Sequence, residues 1–476
     1  MGKSKDSRRK FIKILGIAGV GAAVGCISNE NSDSKESKKN VSSRIEGAKY
    51  MGNFSAPPLE KVRCAFIGVG ARGSGHIKQL AEIEGVEIVA ISDLYEDLAK
   101  KAENDCKKIG DGRHNNIALY HSEENLWKKM LEEVKPDAVF IATPWELHAS
   151  MAIGAMEEGA HAFVEVPIAT TIEDMWKMVD TSEKTQKHCM MLEQVNYGRE
   201  ELLYLNMCRL GVIGELLHGE ASYIHDLREQ MNSVDRGTGS WRTYHYTNRN
   251  GNLYPTHGLG PVAQYMNIGR TEDNFSRLVS FSSPAIGRSA YATKNYAKDH
   301  KWNKLDYKGG DMNTSIIKTN LGRTVMVQWD ETSPRPYTRL NLIQGTKGTL
   351  AGYPMRIALE GGVEGATEDH HNWAQADQLQ AIYEKYEHPL YRRMGALATK
   401  MGGHGGMDFM MRYRIIECLR SGSPLDQNLY EGCLWSAVGP LSEVSVAQDG
   451  MPQEFPDFTR GDWVKRTPFN WMKDNY

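Results

Sequence analysis

Val62-Arg63-Cys64-Ala65-Phe66-Ile67-Gly68-Val69-Gly70-Ala71-Arg72-Gly73 is the stretch whose reading decides the fold. Six residues suited to a buried strand run into a glycine-rich turn, and a helix is expected to follow. Gly68, Gly70 and Gly73 have the G-x-G-x-x-G spacing. In a dinucleotide fold the first glycine allows a tight turn, the second lets backbone approach a pyrophosphate, and the third lets helix and strand pack closely. The helix would then aim unpaired N–H groups and its positive dipole end at the phosphates. Glycine-rich turns are common, so the neighbouring segments must decide.

Working outward, Ser74 to Ile83 fits the helix and Val86 to Ile91 a second strand, with Asp93 at its end, twenty residues beyond Gly73. A carboxylate there can accept from adenosine ribose hydroxyls and repel a 2′-phosphate, which favours NAD over NADP; it can also cap the helix expected from Leu94 to Ile109. A helix over 122–133, a strand Asp137 to Ala142 and the segment Thr143-Pro144-Trp145-Glu146-Leu147-His148 come next. A strand His161 to Glu165, the turn Glu165-Val166-Pro167, a helix Thr171 to Lys187 and a strand His188 to Glu193 complete the alternation. This order predicts a doubly wound parallel sheet, a Rossmann domain over 61–195. Ligands of such sheets lie outside the carboxyl ends of the strands. Those ends are the Gly68 loop, Asp93, Thr143 to His148, Glu165 and Gln194.

From about Gly214 the pattern changes. Glu215 to Tyr223, Thr314 to Thr319 and Arg323 to Asp330 read as strands, Gly345 to Leu350 as a turn into another, and Met407 to Arg420 and Leu429 to Ala447 as helices that pack back on the first domain. Residues 196–476 are therefore expected to form an α+β domain with a largely open sheet, one face covering the crevice. Its densest chemistry is Tyr223 to Arg228, Trp241-Arg242 and Gly251 to Pro261. A histidine such as His257 can take a hydroxyl proton at neutral pH.

The chain start is read separately. Ser7-Arg8-Arg9-Lys10-Phe11-Ile12-Lys13 resembles a twin-arginine export signal, and Ala23-Val24-Gly25-Cys26 a lipobox. Residues 1–26 are thus expected to direct export to the periplasm or cell envelope with a lipid on Cys26, and 27–60 to be a solvated tether rich in Ser, Asn, Lys and Glu. With 57 basic against 60 acidic residues, charge gives no sign of a nucleic-acid partner. Seven cysteines without C-x-x-C spacing give no sign of a metal site. Outside the cytoplasm no free dinucleotide pool exists, so a carried cofactor should be tightly held and returned to its starting redox state each turnover.

The order G-x-G-x-R-G, T-P-x-x-x-H, E-x-P resembles the Gfo/Idh/MocA oxidoreductases. Most dehydrogenases there have Glu-Lys-Pro, whereas this chain has Glu165-Val166-Pro167, and valine moves no proton. With His225-Asp226-Leu227-Arg228 and Tyr254-Pro255-Thr256-His257-Gly258-Leu259-Gly260-Pro261, the resemblance narrows to glycoside hydrolase family 109, the NAD-dependent α-N-acetylgalactosaminidases. Gln194 departs from the expected Asn but keeps an amide. The resemblance implies NAD restored in every cycle: oxidation at sugar carbon 3, proton loss at carbon 2, elimination at carbon 1, water addition and reduction. It implies His257, Tyr197 and Glu165 as catalytic residues, with His257 the base at the carbon 3 hydroxyl and Tyr197 acting at carbon 2. Gly68, Gly70, Ala71, Arg72, Gly73, Asp93, Thr143, Trp145, His148, Glu165, Val166 and Gln194 would hold NAD, and Tyr223, Arg242, Tyr254, His257 and Tyr337 the sugar; Tyr337 reads equally as part of a rigid Pro-rich loop. By fold analogy the open sheet face would pair in a homo-oligomer. An exported sugar oxidoreductase with tightly bound NAD(P), or a carbohydrate-binding lipoprotein without activity, are the alternatives.

Overall fold

In the N-terminal half, continuous apolar runs become strands buried on both faces, as a parallel sheet covered by helices requires. The computed structural model describes residues 43–109, 112–362 and 371–466, all within one compact unit. β1 (Val62–Ile67), β2 (Val86–Asp93), β3 (Ala118–His121), β4 (Ala138–Ile141), β5 (His161–Val164) and β6 (Cys189–Met191) form a parallel sheet in the order β3-β2-β1-β4-β5-β6. This is the Rossmann order, with its crevice where the winding reverses between β1 and β4. Register places Phe66 beside Phe140 and Phe140 beside Phe163, and their rings stack at 5.4 and 4.9 Å. The row stiffens the strands that present the site.

The second sheet has β7 (Leu216–Ile224), β8 (Phe275–Ser282), β9 (Asn313–Thr319), β10 (Thr324–Asp330), β11 (Leu342–Gly345), β12 (Gly348–Ala351), β13 (Arg356–Leu359) and β14 (Gln453–Glu454). Its order is β13-β12-β11-β7-β10-β9-β8-β14; only β7 and β10 run parallel. One face carries the fully buried helix Thr256–Tyr265. Contact is close because two glycines meet it: a Cβ on Gly258 would lie 2.3 Å from Ser222 N, and one on Gly219 2.4 Å from Val262 Cγ1. On the other face Phe281 and Ile316 are exposed. The expected doubly wound sheet with an open-sheeted α+β partner is what folds.

Several local expectations need correction. The helix expected over 122–133 starts only at Leu126, after a turn in which Ser122 has φ +76°. The segment Leu429 to Ala447 is two helices, Leu429–Ser436 and Val438–Ala447. Pro440 lacks the N–H that would continue the ladder to Ser436. The first packs on β6, as expected, but the second packs on β8 of its own sheet. The tether expected over 27–60 is docked from Ser43 onward: Arg44 pairs with Glu183 and Asp462 at 3.0 and 2.6 Å, Tyr50 stacks on Tyr430, and Met51 and Ala56 are buried. Its apolar and aromatic residues find a surface that composition alone did not reveal. The expected export signal and Cys26 lie outside the described residues.

Candidate active site

A cleft of about 1350 Å³ opens between the carboxyl ends of the parallel strands and the second sheet. Its floor is the glycine turn. Gly68 has φ +83°, and a Cβ there would lie 2.7 Å from Ala142 O on the neighbouring strand. A Cβ on Gly73 would lie 2.0 Å from Gly68 O, whereas one on Gly70 would meet nothing within 4 Å. The outer two glycines close the turn and the middle one keeps space open over it. Ala71 and Arg72 line the cleft beside it. Asp93 also lines it, accepting from Val69 N at 2.7 Å and Tyr95 N at 2.8 Å. It therefore ties the glycine loop to the start of the next helix at the edge of the cleft.

Beyond the turn, Thr143, Trp145, His148, Glu165, Val166 and Gln194 all line the cleft. Both ring nitrogens of His148 face carbonyls, Pro167 O at 2.7 Å and Thr143 O at 2.9 Å, so this histidine fastens two strand ends together. The Oε1 of Gln194 is buried without a partner among the described residues. An orphaned amide oxygen on the wall and an open cradle at Gly70 fit a dinucleotide with a carboxamide at its far end.

Glu165 is the centre of a charge network. Arg72 Nε donates to its Oε1 at 2.8 Å, and His76 Nε2 meets the same oxygen at 2.5 Å. Arg412 Nε donates to His76 Nδ1 at 2.7 Å, which fixes the proton of neutral His76 on Nε2. Burial, reinforced by Arg412, lowers the His76 pKa to about 4. Burial would raise the Glu165 pKa, but Arg72 and His76 outweigh it and hold the carboxyl well below its usual range. Arg72 is also gripped by both oxygens of Asp408 at 3.0 and 2.8 Å. Glu165, expected as a catalytic residue, is held here in its ionised form by Arg72 and His76 and stands as a fixed charge on the cleft wall.

The opposite wall is aromatic. Tyr254 stacks on Trp145 at 5.8 Å and lies tilted against Tyr223 at 4.8 Å. Arg242 lies between, 4.6 Å from the Trp145 ring centre and 4.8 Å from that of Tyr254. Its Nε donates to Tyr246 at 2.9 Å and its Nη2 to Glu331. His257, one turn after Tyr254, places Nδ1 2.7 and 2.9 Å from the two oxygens of fully buried Glu193. Its Nε2 is left on the cleft side, 3.4 Å from the Gln194 amide nitrogen. The Tyr223 hydroxyl lies 3.1 Å from His225 Nδ1.

Two expected site residues lie elsewhere. Tyr197 does not line the cleft; it is 1% exposed and donates to Asp426 at 3.1 Å. The short helical turn Gln194–Tyr197 swings it into the core, away from the cleft that Tyr223 lines. Tyr337 stands at the rim, its ring 6.2 Å from Tyr223 and its hydroxyl accepting from Arg339. Sequence reading missed Glu193, Glu331, His76 and Asp408. Each is a lone titratable residue outside any motif, and only the fold reveals its partner.

Two family models match the chain. Residues 62–193 match the oxidoreductase family with an NAD-binding Rossmann fold, and 197–465 match the C-terminal domain of glycosyl hydrolase 109. A glycosyl hydrolase family 109 protein of Akkermansia muciniphila is 58% identical over 480 aligned positions, covering 98% of each chain. The chain belongs to glycoside hydrolase family 109. A family 109 protein of Shewanella sp. strain MR-4 is 51% identical, covering 97% of this chain and 98% of the other. Among solved structures, levoglucosan dehydrogenase in complex with NADH and levoglucosan has a TM-score of 0.60 at 18% identity, over 83% of this chain and all of the other. The scyllo-inositol dehydrogenase of Lactobacillus casei with NAD(H) and scyllo-inositol has a TM-score of 0.57 at 12% identity, over 83% and 99%. These two share the fold. This family 109 member is a glycosidase with an NAD-binding domain, and NAD is its cofactor.

Proposed function

We propose that the cleft hydrolyses terminal α-linked N-acetylgalactosamine by oxidation, elimination, water addition and reduction, without net redox change. When bound, NAD supplies a hydride acceptor at sugar carbon 3 that becomes the donor at the end of the cycle. The observation that carries the reading is the Glu193–His257 pair: Nδ1–H donates to the carboxylate, so Nε2 is the acceptor nitrogen on the cleft side, with the Gln194 amide nitrogen 3.4 Å away. His257 takes the carbon 3 hydroxyl proton there, and Glu193 stabilises the imidazolium that results. Val166 stands where a dehydrogenase of this fold would carry lysine.

Loss of the carbon 2 proton passes from Tyr197 to Tyr223. Burial pushes the Tyr223 pKa up, so its proton must go to His225 Nδ1 as the phenolate takes the proton from carbon 2. Elimination then expels the substituent on carbon 1. Arg242, fixed by Glu331 and Tyr246, offers its remaining edge to sugar hydroxyls beside Tyr254. Export by the twin-arginine route, to the periplasm or cell envelope with a lipid on Cys26, belongs to the same reading. So does a homo-oligomer paired through the exposed face bearing Phe281 and Ile316.

The test is an aryl α-N-acetylgalactosaminide incubated with purified protein in deuterated buffer without added NAD. Multiple turnovers, no net NADH and deuterium at carbon 2 are expected, and Tyr223→Phe should stop the deuterium exchange where Tyr197→Phe does not. Accumulating NADH would point to a sugar oxidoreductase, and inertness towards every glycoside to a binding lipoprotein.

A further inference from the structure

Five consecutive residues of the second domain have positive φ: Gly402 (75°), Gly403 (78°), His404 (45°), Gly405 (70°) and Gly406 (100°). Such a run is accessible to glycine and strained for other residues, yet its middle position is a histidine. The run is built in place. A Cβ on Gly403 would lie 2.8 Å from Asp408 Cβ, and one on Gly406 2.7 Å from the Ala398 backbone. Gln79, on the helix that follows the glycine turn, donates to the carbonyls of Met401 and Gly402 at 3.2 and 3.0 Å. The loop is therefore fastened to the first domain.

Its single side chain, His404, lines the dinucleotide cleft. His404 Nδ1 lies 2.8 Å from Asp408 Oδ2 and 3.5 Å from Arg72 Nη1. Arg72 belongs to the glycine turn itself, and Asp408 grips its guanidinium with both oxygens. Asp408 thus orients the His404 ring through Nδ1 and leaves Nε2 for a ligand in the cleft. A glycosidase whose cofactor ends each cycle as it began needs no exit route for it.

We propose that residues 402–408 are a clasp by which the second domain holds NAD in the glycine turn, with His404 the contacting side chain and Asp408 its positioning residue. The clasp rests on the NAD site and not on which sugar is cleaved. The test measures retention without any glycoside. Wild-type protein and His404→Ala are passed through gel filtration, acid-extracted NAD is counted, and the release of bound NAD into an excess of a fluorescent NAD analogue is timed. We expect wild-type protein to keep its NAD and His404→Ala to release it at least tenfold faster with unchanged circular dichroism. Gly403→Ala, which cannot keep its φ beside Asp408, should release it faster too. Equal release rates in wild-type protein and His404→Ala would overturn the clasp, as would rapid loss of NAD from the wild-type protein.

Discussion

Two buried glutamate–histidine pairs face the same cleft from adjacent strand ends, and they are chemically opposite. At the end of β5, Glu165 meets His76, whose other ring nitrogen accepts from Arg412, while Arg72 and Asp408 complete the charge balance. Every donor and acceptor there is spoken for. Two residues beyond β6, Glu193 meets His257, whose other nitrogen opens on the cleft. The same two residue types make a rigid wall in one place and a base in the other. What separates them is the partner of the second imidazole nitrogen: a buried guanidinium at 2.7 Å for His76, and for His257 a neutral amide on the cleft wall at 3.4 Å.

The sharpest way to break that comparison is at His257. His257→Phe keeps the ring volume and removes the base, so kcat should fall by about 10³-fold, within the range for loss of a positioned general base, while the protein stays folded and NAD-loaded. Activity retained at wild-type level would take His257 out of the mechanism. Next come the two glutamates, changed alike. Glu193→Gln can turn an amide N–H towards Nδ1 and favour the wrong tautomer, so a fall of about 10²-fold in kcat with little change in KM is expected. Glu165→Gln leaves His76 neutral and Arg72 still held by Asp408, so its cost should be about tenfold or less and should appear in NAD affinity. Equal losses in kcat from both would show that the two pairs do not differ in role.

How much of this was legible in the sequence depended on whether the information was local. The glycine turn, Asp93 and the strand ends follow from short-range spacing, and Tyr254 and His257, three positions apart, meet with ring centres 5.0 Å apart although the helix begins only at Thr256. Tyr197 misled because nearness in sequence to a strand end says nothing about direction; a single helical turn sends it into the core while Tyr223, from the other sheet, takes the place beside His257. Glu193 could be read as the end of a strand but not as a partner of a histidine 64 positions away. Asp408 and Glu331 were hidden for the same reason. A lone carboxylate in sequence has no visible counter-charge, and burial together with its partner is a property of the folded chain.

The smallest expected effect concerns stability and tests the locked pair. In the unfolded chain His76 titrates near its ordinary value of 6.5, and in the folded protein at about 4. Between those values the unfolded state binds the extra proton, so lowering the pH favours unfolding. The stability is fully present above about pH 6.5 and is lost as pH falls towards 4; a shift of that size corresponds to about 3 kcal/mol at most. His188 and His388, each also lowered to about 4 chiefly by burial, act in the same window and with the same sign. His76→Gln keeps a donor for Glu165 and an acceptor for Arg412 but carries no titrating nitrogen. Its melting temperature should be lower than wild type at pH 7 yet fall less steeply between pH 6.5 and 4. A slope as steep as that of the wild type would mean that His76 already takes a proton in the folded state. Glu165 and His76 would then be a mobile proton site after all, and the contrast with Glu193 and His257 would be one of degree.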